Sequence, residues 1–310
     1  MHLRFVCGLA LCLLSTVAVC GENAHATDEG HALLPTRFCQ MSKDSSWKEV
    51  STQALSFKTF HPQGMTAVGE RFFLSSVEVV DRKAGKGVGH LFEMDRKGTL
   101  LREMTLGEGA MYHPGGIDYD GRYVWVPVAE YRPDSSAIVY AVDPETLKAR
   151  EVFRFKDHLG AVSHFPDRKL LVAASWGSRK FYRWKTEENN GEWMVADPEH
   201  PEAFSNGSHY VDYQDTQRIP GTPYLLCSGL QGYAVEGSRP SAMKLGGIDL
   251  VNIEDMRPIH QVPVPLRPAL FPAWTQNPFY VETDESGLRF HFIPEDGKSF
   301  IHVFEVSPTP

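Results

Sequence analysis

Four histidines, His61, His113, His158 and His209, recur at intervals of roughly fifty residues, each at or next to the start of an apolar run. Two lie in near-copies of one motif, His61-Pro62-Gln63-Gly64 and His113-Pro114-Gly115-Gly116. Neutral imidazole nitrogens are good ligands for transition metals, so four of them around one axis would suit a divalent metal ion. A plainer role is open to the same residues: capping a loop by bonding a backbone carbonyl. Alignment by glycine also sets Asp157, not His158, opposite His61. Glu78 and Glu130 stand at equivalent places, each six residues after the apolar residues Phe72 and Val124. Carboxylate beside imidazole suits general acid-base work or a mixed metal site, although a strand-ending acid can simply pair with an arginine.

Residues suited to holding a ligand fall in the same parts of the repeat. Arg132 and Arg179 would pair with an anion, and Trp176 would stack on a ring or sugar, as would Tyr131, Tyr233 and Trp274. Gln231 opens a long insert, reaching Lys244 and rich in glycine, that is the best candidate for a lid. Arg82, Lys83 and Lys86 give the same loops a basic lean, diluted by Asp134, Glu236 and Asp296.

Positioning such residues requires a repeating scaffold, and the chain has one. From each His-Pro motif follow a short run, a continuously apolar run such as Tyr123 to Val126, a third run, and a polar turn such as Asp143-Pro144-Glu145-Thr146 before a fourth. Strands apolar at every position are buried on both faces, as in a sheet packed between two other sheets. The pattern predicts an all-β, five-bladed β-propeller over 47–306, a single domain. A sixth blade is the alternative if 264–278 holds further strands. The last unit has three strands, and Trp47 to Phe57 supplies the fourth, closing the ring and removing exposed sheet edges.

The meander, the Asp143-Pro144-Glu145-Thr146-Leu147 turn and the split last blade resemble β-propellers generally. The His-Pro-x-Gly starts are similar to a family of exported propeller proteins of unknown function, over about residues 47–306. That resemblance implies the fold and carries no activity. Gluconolactonase-type and paraoxonase-type hydrolases share no motif that maps residue by residue. Carotenoid-cleaving oxygenases, which hold iron with histidines from several blades, match no further.

Residues 1–26 read as a cleaved export signal: Arg4, an apolar stretch from Phe5 to Val19, then Ala24-His25-Ala26. A lipoprotein anchored through Cys20 is the alternative, disfavoured by the size of Val19. Residues 27–46 read as an irregular tether and 307–310 as a tail. No later run is long and apolar enough to span a membrane. The mature chain keeps Cys39 and Cys227, bridged or free, and Asn206-Gly207-Ser208 forms a glycosylation sequon. A net charge of −8 argues against nucleic acid as partner. Oligomeric state is not legible. No nucleophile elbow, phosphate loop or zinc-helix motif is present. Three functions stay in view: binding a small polar or anionic ligand or a metal ion at the axial mouth, hydrolase or lyase chemistry there, and a scaffold for protein partners.

Overall fold

The computed structural model describes residues 33–233, 243–267, 273–284 and 286–307. Strand β1 (Ser46–Ala54) precedes blade one, β2 (His61–Val68), β3 (Arg71–Asp81), β4 (Lys86–Asp95) and β5 (Leu100–Leu106). Blade two comprises β6 (Met111–Pro114), β7 (Asp118–Tyr119), β8 (Val124–Glu130), β9 (Ala137–Asp143) and β10 (Lys148–Phe155). Blade three comprises β11 (Ala161–Phe165), β12 (Leu170–Ala174), β13 (Lys180–Asn189), β14 (Glu192–Val195) and β15 (Glu202–Ser205). Blade four is β16 (Asp212–Arg218), β17 (Tyr224–Tyr233), β18 (Met243–Asn252) and β19 (Arg257–Val264). Blade five is β20 (Phe279–Asp284), β21 (Gly287–Phe292) and β22 (Phe300–Ser307), completed by β1. The arrangement is the five-bladed propeller, with the predicted closure: β1 runs antiparallel to β22, from Ser46 opposite Ser307 to Ala54 opposite Phe300.

Burial follows position in the blade. β8 is buried along almost its whole length, whereas the outer β5 and β19 alternate between half-buried and exposed. The outer turns are fixed by aspartate. Asp95 accepts the N–H groups of Lys97 and Thr99, and Asp143 those of Glu145 and Thr146, all at 2.8–2.9 Å. Such Asx turns replace the missing ladder partners where the strand reverses.

The inner strands meet across the axis and leave no open bore at their middle. Gly116 N–H donates to the Gly160 carbonyl at 2.8 Å, and Val162 N–H to the Gly116 carbonyl at 3.2 Å. A Cβ on Gly64 would lie 2.4 Å from the Ile117 nitrogen, and one on Gly116 would lie 2.6 Å from Asp215 Oδ1. Only glycine permits this approach. Asp215, fully buried, accepts the N–H groups of Met65 (3.0 Å, blade one) and Phe279 (3.3 Å, blade five), joining three blades through one carboxyl.

Asp118, also buried, accepts the Arg218 N–H at 2.8 Å; burial pushes its carboxyl up to about 7, against the pull of the Arg218 charge. The folded chain therefore holds this proton more tightly than the unfolded chain. The sign follows: between about pH 4 and 7 the unfolded state binds fewer protons, so Asp118 lowers stability as pH rises through that window. Asp118→Asn is expected to flatten that decline by on the order of a few kcal/mol, a shift of one pKa unit being about 1.4 kcal/mol. Denaturant midpoints at pH 5 and pH 7.5 for both proteins check it.

Three expectations need correction or completion. The described part of the segment read as an irregular tether carries a helix over 33–39. Its Leu34 and Phe38, with Met41, are buried against Ile219, Leu226, Val281 and Phe290 between blades four and five. The spacing of Leu34 and Phe38 places both on one helix face, a signal too short to weigh against the polar residues around it. Both cysteines are free, Cys227 buried and Cys39 exposed. The sequon amide of Asn206 is buried and donates to the Ser178 carbonyl at 2.8 Å, so the folded chain does not offer it for glycosylation. Residues 1–32, and most of the insert after Tyr233, lie outside the described residues.

Candidate functional site

Above the glycine-lined crossing, on the side where β2 begins and β3 ends, lies a blind pocket of about 220 Å³. Its walls include His61, His113, His158, Arg82, Tyr131, Trp176 and Asp212, with Gln63 and Gln214 nearer the axis. Two β-bulges re-aim the ladder here. Register shifts between Pro62 and Gly64 in β2, and between Tyr213 and Asp215 in β16, leave Gln63 and Gln214 as extra residues, both on the pocket wall. Bulges commonly turn side chains toward a site in this way.

His113 is the centre of the arrangement. It is 5% exposed, its ring stacks on Tyr131 at 4.1 Å, and neither ring nitrogen has a partner among the described residues. Burial, reinforced by His158 and His61, holds its pKa well below the ordinary histidine value, so the ring is neutral, with one donor and one acceptor nitrogen. His158 is similarly lowered by burial. Its Nδ1 donates to the Glu130 carbonyl at 2.9 Å, which leaves Nε2 with the lone pair. Gly160 leaves space beside it, since a Cβ there would lie 3.7 Å from Nε2. His61 Nδ1 lies 2.8 Å from Asp296 Oδ1, and Asn277 donates to the same oxygen at 3.0 Å.

Aromatic faces and one cation complete the mouth. Trp176 meets His158 edge-on at 4.8 Å, and the Arg82 guanidinium lies 4.0 Å from the centre of the Tyr131 ring. Asp212 accepts from Arg179 at 2.8 Å, and burial raises its carboxyl against that cation's pull.

Of the predicted residues, His61, His113, His158 and Trp176 come together here. His209 does not: it is exposed, three residues before β16, and takes a hydrogen bond from Arg179 at 2.9 Å, beside a cation that would repel a metal. His158 likewise precedes its strand by three residues, whereas His61 and His113 lie within theirs. Among the described residues no three His, Cys, Asp or Glu side chains stand close enough to hold a metal ion. Glu78 faces Lys58 at 3.9 Å, and Glu130 pairs with Arg132 at 2.8 Å; neither carboxylate lines the pocket, and Arg132 points to solvent. Gln231 sits in β17 opposite Leu245, away from the pocket, and Trp274 borders a separate aromatic hollow with Trp47, Phe292 and Phe304. Sequence reasoning gave no role to Gln63, Gln214 and Asp212, and counted Asp296 only as a rim charge. The bulges that bring in the two glutamines have no composition signal.

Comparison with solved structures returns matches at low identity. A hypothetical protein from Leishmania major superposes with a TM-score of 0.50 at 8% identity, covering 84% of this chain and 91% of that one. A glycosyl hydrolase from Bacteroides ovatus gives 0.46 at 10% identity, covering 81% and 85%. The PQQ-bound aldose sugar dehydrogenase of Streptomyces coelicolor gives 0.45 at 12%, covering 86% and 100%. At such identities the likeness concerns the fold alone. A search of the curated proteins returns no match. One family model spans residues 27–307, from before β1 to the end of β22, and by that match the chain belongs to the family of unknown function DUF6454.

Proposed function

We propose that this chain binds a small, polar, anion-bearing metabolite in the blind pocket above the propeller axis. The observation that carries the reading is His113: a buried imidazole with both nitrogens unpartnered among the described residues, facing a cavity walled by polar and aromatic groups. Buried polar groups are almost always hydrogen-bonded, so an orphaned ring beside a cavity marks the place of a missing partner. Arg82 supplies the positive charge, and Tyr131 and Trp176 the flat apolar surfaces. At about 220 Å³ the pocket is smaller than the ~300–1,000 Å³ usual for drug-sized ligands, which favours a metabolite of few carbons. The order of charge, apolar stretch and small residues in 1–26 supports export as the setting.

Thermal unfolding in the presence of a panel of small carboxylates, phosphates and sugar acids tests the reading. A ligand at about 100 times its Kd adds about 2.7 kcal/mol, a rise of about 5 °C or more for a chain of this size. His113→Ala is expected to weaken that ligand about tenfold or more, by loss of a buried hydrogen bond of about 1–3 kcal/mol. A panel without effect, or a ligand indifferent to His113, would refute it.

A further inference from the structure

We propose that the pocket is a proton-transfer site for a small carbonyl compound bearing a carboxylate, a short 2-oxo acid, in which His61 is the base and His113 holds the carbonyl oxygen. The inference rests on the ligand-pocket reading above and deepens it.

The geometry around His61 is that of an oriented base. Asp296 accepts at Nδ1, so that nitrogen carries the proton and Nε2 keeps its lone pair. Burial would raise the Asp296 carboxyl, but the hydrogen bonds from His61 and Asn277 hold it below its ordinary value, keeping it ionised opposite the ring. Its partners come from distant parts of the chain and are clamped by backbone: Thr59 N–H donates to the Gly297 carbonyl at 3.0 Å, and Gly297 N–H to the Phe60 carbonyl at 2.6 Å. Phe60, immediately before His61, holds φ at +55°, a left-handed conformation that bulky side chains rarely adopt. Such backbone cost is kept where surrounding contacts over-determine it, commonly at functional sites.

The other two roles have candidates in the same pocket. A neutral imidazole N–H is an effective donor to an oxygen that gains charge, and His113 is neutral and has no partner among the described residues. The Arg82 guanidinium, stacked on Tyr131, is placed to receive the carboxylate. In the step, His61 Nε2 takes a proton from the carbon next to the carbonyl. The C–H electron pair forms the carbon–carbon double bond of an enolate, and the carbonyl π pair moves onto oxygen, where the His113 N–H bonds it. Return of a proton from the imidazolium to carbon restores the substrate. Asp296 acts through His61 and is a positioning residue.

Proton exchange into 2-oxobutyrate in D2O, followed by NMR at carbon 3, tests this without knowledge of the natural ligand, and saturation-transfer NMR on the same samples reads binding. The intact protein is expected to exchange the carbon 3 protons faster than buffer. His61→Gln should lower that rate by about 10²–10⁴-fold while 2-oxobutyrate still binds. Asp296→Asn should lower the rate at saturating 2-oxobutyrate by less and leave its binding unchanged, because the ring loses the acceptor that fixes the proton on Nδ1. Binding without exchange, exchange unchanged in His61→Gln, or no binding of 2-oxobutyrate would each overturn the proposal. In the last case, a ligand from the wider panel that depends on His113 would leave the binding reading standing.

Discussion

Deleting residues 1–54 is expected to leave a chain that does not fold cooperatively. Four large buried or half-buried side chains, Leu34, Phe38, Met41 and Trp47, leave the core shared by blades four and five. At about 1.5–3 kcal/mol each, they remove about 6–12 kcal/mol, comparable with the whole stability of a typical domain at about 5–15 kcal/mol. The loss is also one of geometry. Trp47 packs on Phe290 at 4.9 Å and on Phe292 and Phe304 at 6.2 Å, and without β1 those rings meet water while β22 becomes an unpaired edge. The measurement is urea unfolding followed by tryptophan fluorescence, alongside dye binding to exposed apolar surface. A soluble truncated chain with a single sharp transition would show that ring closure is dispensable.

Asp215→Ala is expected to lower the melting temperature by on the order of 10 °C, the largest effect of any single polar substitution near the axis. The alanine leaves the Met65 and Phe279 N–H groups without their acceptor in a site with no exposure to solvent, at about 1–3 kcal/mol each. For a chain of this length about 1 kcal/mol moves the midpoint by 2–4 °C or somewhat less. Asp215→Asn separates hydrogen bonding from charge. Burial raises the Asp215 carboxyl well above its ordinary value, which disfavours its charged form, and an amide oxygen can accept the Met65 and Phe279 N–H groups in its place. The asparagine variant should therefore lose less than half as much. Equal losses in the two would show that an amide cannot replace the carboxyl as acceptor here.

The fold was legible because propeller blades write a repeated signal into the chain. Continuously apolar second strands such as Leu170–Ala174, and turns such as Asp143 to Thr146, recur at a fixed period, and a three-stranded last unit beside a lone first strand has few ways to close. The candidate site was legible only in part, because the residues lining the pocket are brought together by local exceptions to that repeat. His61, His113 and His158 were visible by their regular spacing. His209 shares that spacing but lies outside the pocket lining, where its ring accepts from Arg179. Glu78 and Glu130, equivalent by count, each face a neighbouring cation, Lys58 and Arg132, and neither lines the pocket. Gln63 and Gln214 reach the wall through bulges, and Asp296 reaches His61 through a loop 235 positions away. None of these leaves a trace in period or composition. The helix over 33–39 was missed for a related reason: two apolar residues on one face are below the threshold of any periodic signal, yet both are almost fully buried.

The pairing of Ser46 with Ser307 also sets an order of events in time. Strand β1 leaves the ribosome before the blades and is the last to find its neighbour, because β22 follows every other described strand. At about 5–20 residues per second, synthesis separates the two by roughly 13–50 s. Through that interval the half-built ring keeps an open seam, and Trp47 waits without the aromatic rings it will cover. A chain built this way postpones its closed ring until β22 has been made.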